Sequence, residues 1–377
     1  MNIVSVNDSS QLDGLEETWN RLAETGLYFV PRFAELRDTI AGNRTKFRLL
    51  TAVDNSQIIA CACFIYTLTT KNFTITTKTL FRLPVRMVVL FGGCVVGDPS
   101  EDVIRRFFEV IISEGDFDLL SVGTIFTNTP LYKAATNLRN AFTLTGWRKQ
   151  QRWWLVRLPA SFAEYLASIR ETARAHISRD CLKFERMSPE FLLMRVPEEV
   201  DSFLRDAEKI SRLTYHWNLY PLHNDERTRK HFLNLAKTGN LRCYISYVKG
   251  KPCAFGWGEL TYRRFYFRQT GYDPEFRRLS HGTALIMRMI RDLIENTDCE
   301  VFDFLWGGME GYKSRLANTS FPCTSVQIAI MKPYSLFIGM LDLLLNLAKS
   351  LVALVVEQGP LKKLSRGFRR RHGGATF

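Results

Sequence analysis

The chain has no Cys-x-x-Cys pair, no His-Glu-x-x-His and no other metal-ligand spacing among its six histidines and eight cysteines. A disulfide framework and a metal site are therefore not expected. Free buried thiols in a reducing cytoplasm are the consistent setting. Cys61 and Cys63, two apart in a segment that reads as a strand, share one face and are expected inside. The opening Met1-Asn2-Ile3-Val4-Ser5 lacks a basic region followed by a long apolar run, so no signal peptide is expected. Acid is missing from the last twenty residues, which carry Lys362, Lys363, Arg366, Arg369, Arg370 and Arg371. Those six charges leave +7 of the net +13 for the body of the chain. A mildly basic body fits an anionic small ligand and does not require nucleic acid. Hydrophobic residues make up 46% of 377, enough for sizeable cores in two ordinary domains or one large one.

The most informative stretch is 265–318. It reads as a strand (264–271), a turn (Tyr272-Asp273-Pro274) and a loop containing Arg277, Arg278, Ser280, His281, Gly282 and Thr283. A helix (283–295), a second strand (300–306) and the run Gly307-Gly308-Met309-Glu310-Gly311-Tyr312-Lys313 follow. Leu285, Ile286, Met289, Ile290, Leu293 and Ile294 form one apolar helix face. Ser280 suits an N-cap, and Gly282 in the first turn would let a ligand approach backbone amides. No acid occupies that turn, so nothing there repels a pyrophosphate. An ordinary capped helix after a solvated basic loop is the competing reading.

This order resembles the cofactor half of the GNAT acyltransferase fold. More narrowly it is similar to the CelD/BcsL-like family, linked to cellulose and surface-polysaccharide biosynthesis. The likeness is carried by Tyr272-Asp273-Pro274, Ser280-His281-Gly282, Phe302-Asp303-Phe304 and Glu310-Gly311-Tyr312-Lys313, with Leu158-Pro159-Ala160-Ser161-Phe162 before Tyr165-Leu166. It extends over most of residues 1–325. Leu279 stands where GNAT proteins usually carry Gln or Arg. The resemblance implies a mixed α/β (α+β) architecture of two tandem GNAT-like domains. The order of elements repeats: 1–155 would be a first domain, 156–330 a second with the acyl-CoA site, and 331–377 an amphipathic helix with a basic tail. In the first half, Asp98, Glu101 and Asp102 crowd the helix that follows Gly92, Gly93 and Gly97, which opposes a phosphate there.

Acyl transfer of this kind is direct attack by an amine or hydroxyl on a thioester. The resemblance assigns Tyr312 as proton donor to the leaving thiolate, a role a phenol can fill. Glu310 is a base candidate or a helix-start acid. Asp303, alone in an apolar strand, must be paired if buried, and Glu259 is a further base candidate. Gly256 and Gly258 are expected to keep one face of their strand open to a ligand. Tyr215, His216, Trp217 and Tyr220 lie in an aromatic segment that suits a sugar-like acceptor, with His216 a base or a packed residue. Lys313 would meet cofactor phosphate or an acidic acceptor. The basic helix read over 162–185 is expected to be a solvated face. The expected co-substrate is acetyl-CoA and the expected acceptor a small molecule or glycan. A Fem-like aminoacyltransferase using charged tRNA and a non-catalytic accessory protein are the rivals. Residues 334–356 are apolar, but Ser335, Gly339, Asp342, Asn346 and Lys349 form a stripe that argues against a membrane span. Packing on the domain or lying on an anionic membrane surface, at its cytoplasmic face, are the two expectations.

Overall fold

A computed structural model describes residues 1–24, 30–43, 46–75, 78–139, 141–145, 151–214, 221–309 and 311–358. The chain is mixed α/β and forms two compact units. One comprises Met1–Gln151 and the chain from Pro322 onward; the other is Arg152–Phe321.

The first unit holds β1 (Asn2–Val6), α1 (Glu16–Glu24), α2 (Phe33–Asn43), β2 (Phe47–Asp54), β3 (Gln57–Ile75), β4 (Lys78–Leu90), β5 (Val96–Gly97), α3 (Glu101–Glu114), β6 (Leu119–Phe126), α4 (Pro130–Thr136) and β7 (Ala141–Thr145). The second holds β8 (Gln151–Arg157), α5 (Phe162–Ser168), α6 (Glu171–Glu185), β9 (Glu190–Met194), α7 (Val200–Leu213), α8 (Glu226–Lys237), β10 (Leu241–Val248), β11 (Lys251–Thr261), β12 (Arg264–Tyr272), α9 (His281–Asn296), β13 (Val301–Gly307) and α10 (Tyr312–Leu316). The chain then returns to the first unit through β14 (Thr319–Ile330) and α11 (Pro333–Gln358).

The two units repeat one topology. In the first, β1, β2, β3 and β4 pair antiparallel in sequence, and β4 pairs parallel with β6. In the second, β9, β10, β11 and β12 do the same, and β12 pairs parallel with β13. Each fifth strand has an antiparallel neighbour beyond it, β14 in the first unit and β8 in the second. The repeated order of elements read from the sequence is thus a repeated topology, the arrangement that the resemblance to tandem GNAT-like domains implied.

The helix read over 162–185 is two helices. Ile169 is extended (φ −91°, ψ 157°) and separates α5 from α6. Gly256 and Gly258 serve packing within the chain, a correction to the open face expected of them. A Cβ on Gly256 would lie 2.9 Å from Met289 Sδ, and one on Gly258 2.5 Å from the Phe265 ring. Their bareness lets α9 and its aromatic neighbours settle on the sheet, where Phe265, Phe267, Met289, Ile290, Phe302 and Phe304 form one core.

Candidate active site

Parallel pairing of β12 with β13 ends early. The register runs only from Arg264↔Val301 to Tyr266↔Asp303, yet β12 continues to Tyr272 and β13 to Gly307. Two local features part the strands. Arg268 is an extra residue on β12 opposite the Trp257–Gly258 step of β11, a β-bulge. On β13, Leu305 is left-handed (φ 60°), and the register with β8 slips between Asp303 and Trp306.

Such a break frees backbone groups that must be satisfied. Two side chains do this. Asp303 Oδ1 accepts from Leu305 N–H at 2.7 Å, and Lys313 Nζ donates to Phe304 O at 2.6 Å and Trp306 O at 3.0 Å. Asp303 is fully buried; Oδ1 also accepts from Trp153 Nε1 at 2.7 Å, and Oδ2 lies 3.5 Å from Arg264. Burial raises the Asp303 pKa to about 6, against the pull of Arg264. Desolvation lowers that of Lys313 to about 8, with Asp303 opposing. Both side chains therefore serve the strand break itself. Asp303 is closed off from solvent, and Lys313, its stem against Gly307, is engaged by the two carbonyls. Glu259 is also buried, its Oε1 accepting from Arg268 Nε at 2.6 Å. Arg264 and Arg268 flank the Tyr266 ring at 6.0 and 5.7 Å. Strand alternation puts this polar row on the face opposite Phe265 and Phe267. α7 covers the β11 and β12 part of the unit and packs with α8. Near them Trp257 Nε1 is buried without a hydrogen-bond partner.

The open ends of β12 and β13 lead into two helix starts. From β12 the chain makes the turn Tyr272-Asp273-Pro274, in which Asp273 Oδ1 accepts from Glu275 N–H at 2.9 Å and Oδ2 meets Lys251 at 3.0 Å. A 3-10 segment, Pro274–Leu279, contains Arg277 and Arg278, whose side chains lie outside the described residues. Ser280 is the N-cap of α9, as predicted, but is left-handed (φ 55°) and makes no side-chain cap bond. Its carbonyl accepts from Thr283 and Ala284 N–H at 3.0 and 3.1 Å. The amides of His281 and Gly282 stand at the positions that a helix leaves without an internal acceptor. No acid lies in this first turn. A Cβ on Gly282 would meet only the Tyr272 ring, at 3.5 Å.

From β13 the chain enters α10, whose first residue is Tyr312. Its ring packs edge-on to Phe304 with centroids 6.0 Å apart, in the same core as α9. Tyr312 thus belongs to the α9 side of the sheet and to the end at which β12 and β13 part. Glu310, Tyr215, His216, Trp217 and Tyr220 lie outside the described residues.

His281 differs from what the loop pattern suggests. Its ring is 1% exposed between Phe184 (4.2 Å) and Phe276 (5.0 Å), and neither ring nitrogen has a hydrogen-bond partner. Only its backbone can serve the helix start. Desolvation lowers its pKa from 6.5 to about 4, with Asp273 opposing. The unfolded chain takes up this proton below 6.5 and the folded chain only below about 4, so stability is lost as pH falls through that window. His281→Phe is expected to stabilise by about 1 kcal/mol at pH 7 and about 2 kcal/mol more at pH 5. Urea unfolding at both values checks this; an equal change at the two would show that the buried ring carries no proton penalty.

In the first unit the parallel register of β4 with β6 is equally short, from Met87↔Leu119 to Val89↔Ser121, but the turn that follows β4 takes the place beside β6. After β4 the turn Phe91–Gly93 lies on β6, where a Cβ on Gly93 would be 3.0 Å from Val122 O. Glu101 and Asp102 occupy the first turn of α3 and pair with Arg105. All eight cysteines are free, and burial raises Cys61 to about 12. No group of His, Cys, Asp and Glu that could hold a metal occurs among the described residues.

Residues 171–314, from α6 into α10, match the family model of the acetyltransferase (GNAT) domain, so the second unit carries a GNAT domain. FemX has a similar structure, at 8% identity and a TM-score of 0.55, over 90% of this chain and 100% of that one. A conserved protein of unknown function from Bacteroides thetaiotaomicron VPI-5482 is similar at 12% identity and a TM-score of 0.52, over 86% and 100%. A tandem GNAT protein from the clavulanic acid biosynthesis pathway aligns at 11% identity and a TM-score of 0.48, over 88% and 99%. At these identities the first two likenesses are ones of fold. No curated protein matches the sequence. The fold is that of a GNAT-type acyltransferase.

Sequence reasoning missed Trp153, Arg264 and the left-handed Leu305. An apolar strand holding one Asp signals a buried partner; its identity depends on the register of β8 against β13, some 150 residues apart.

Proposed function

We propose that the second unit transfers an acyl group, in its simplest form acetyl, from coenzyme A to an amine or hydroxyl of a sugar-like acceptor in the cytoplasm. The observation that carries this is the parting of β12 from β13 with the acid-free N-terminus of α9 at its open end. An arm with amide groups can hydrogen-bond to a strand edge that has lost its neighbour, while its pyrophosphate meets the amides of His281 and Gly282. Arg277, Arg278, Ser280 and Thr283 would add donors or charge. The first unit, its corresponding gap closed by its own backbone, would act as scaffold.

In the transfer a nucleophile N–C or O–C bond forms as the thioester C–S bond breaks. The nucleophile's proton goes to Glu310 or His216, since Asp303 is enclosed and Glu259 is held by Arg268. The departing thiolate takes its proton from Tyr312. The polar row beneath α7, with the unpartnered Trp257 Nε1, and the aromatic segment from Tyr215 to Tyr220 support a hydroxyl-rich acceptor. The link to surface-polysaccharide biosynthesis rests on motif order alone.

Gly282→Asp tests this reading without disturbing the fold. The site has room for a side chain, and a carboxylate at a helix start favours the helix. Acetyl-CoA should stabilise the wild-type protein in thermal unfolding, bind Gly282→Asp at least about tenfold more weakly, and bind Gly282→Ala nearly as well as wild type. Equal affinity for all three, or stabilisation by charged tRNA in place of acetyl-CoA, would remove the proposal.

A further inference from the structure

Helix α11 turns its polar stripe toward the first unit. Ser335 is fully buried, Gly339 packs on Leu144, Ala329 and Phe142, and Asp342 meets Lys71 at 3.4 Å. Lys71 also donates to Gln327 Oε1 at 2.7 Å. Beside them Ile338, Leu341 and Leu345 join the core of Phe73, Val85, Leu119 and Ala329. At 100° per residue, the opposite side of the helix carries Tyr334, Phe337, Met340, Leu344 and Leu347. They are 40%, 54%, 60%, 59% and 36% exposed. Single exposed apolar residues are ordinary; an unbroken row at three- and four-residue spacing is not. The row continues past Tyr334 into a surface depression of about 580 Å³ shared with Leu68, Pro84, Arg86 and Lys332. Leu68 is itself 77% exposed.

Charge identifies the occupant. Residues 358–377 hold six Lys and Arg and no acid. A second copy would add a further +13 to a chain that is already basic, like charge to like. An anionic bilayer offers both apolar depth for the row and negative headgroups for the segment. No helix among the described residues is long and apolar enough to cross a membrane, and the Asp342–Lys71 contact ties the middle of α11 to the fold. We infer that the outward face of α11 is a docking surface for an anionic lipid bilayer. Phe337, Met340 and Leu344 enter the acyl boundary, and the basic residues after Gln358 meet the headgroups. The helix lies in the plane of the surface, held by its polar side.

The test uses the full chain and needs no catalytic activity, so it stands apart from the acyl-transfer reading. The protein should sediment with vesicles of phosphatidylcholine and phosphatidylglycerol, less so as salt rises, and not with phosphatidylcholine alone. Phe337→Asp/Leu344→Asp should lower the partition coefficient at least about tenfold. Both side chains are exposed, so its thermal unfolding should match that of wild type, and truncation after Gln358 should remove the salt dependence. The inference is overturned by unchanged binding in the double variant or by equal binding to neutral vesicles. It is also overturned by a wild-type dimer that the double variant converts to monomer, which would make the occupant a second copy.

Discussion

Tyr312→Phe should lower the rate of acyl transfer by about two to four orders of magnitude while leaving acetyl-CoA affinity within about twofold. The asymmetry follows from where the residue sits. The ring packs edge-on against Phe304 at the first turn of α10, and phenylalanine preserves that contact. Only the hydroxyl is lost. Under the proposed chemistry it acts when the C–S bond breaks and charge gathers on sulfur, a moment that ground-state binding does not sample. Stopped-time assays of free thiol release, beside calorimetric titration with acetyl-CoA, separate the two quantities. A drop in affinity matching the drop in rate would make Tyr312 a packing residue and leave the thiolate proton to water.

Much of this arrangement was legible in the chain, and the limits have physical causes. Strands β12 and β13 fall within one residue of the ranges read for them, 264–271 and 300–306, because each is decided locally. Helix α9 was legible in its apolar face, and starts two residues earlier than that face suggests, since a left-handed Ser280 rather than a side-chain cap begins it. The break at Ile169 carries no glycine or proline to announce it. The return of β14 to pair with β6 is a long-range choice that no window of sequence contains. For α11 the polar period was plain, and packing on the domain or lying on a membrane surface were both expected, but which side would face the fold was not legible. Lys71, in a strand some 270 residues earlier, turns the polar side inward. The site divides the same way. The acid-free helix start could be read directly from 280–284, whereas the role of Asp303 depends on Trp153, Arg264 and Lys313, contributed by three other elements.

Asp303 is where the largest loss of stability is expected. Asp303→Ala removes, at a fully buried position, the carboxylate beside Arg264 and the acceptor of the Trp153 indole N–H and the Leu305 amide. Removing one partner of a buried pair costs about 3–5 kcal/mol, and unfolding in urea should show a loss of that size. Lys313→Met keeps the stem against Gly307 and removes only the donors to Phe304 and Trp306, so it should cost about 1–3 kcal/mol. Both changes act on the strand break, so acetyl-CoA should bind the folded fraction of each about tenfold or more weakly, without a change in its pH dependence of transfer. The pH dependence of stability gives an independent check. The folded chain holds the Asp303 proton up to about pH 6, and the unfolded chain only up to 3.8. Stability from this group is therefore full below pH 3.8 and is lost as pH rises through 6. His281, lowered to about 4, contributes with the opposite sign over nearly the same window. The two displacements are each worth about 3 kcal/mol and should nearly cancel in the wild-type protein. In His281→Phe the Asp303 slope should then stand alone, with stability falling from pH 4 to pH 6. In Asp303→Asn, which retains an acceptor for Trp153 and Leu305, stability should rise over the same range. Parallel slopes in the two variants would show that neither group titrates from its buried site.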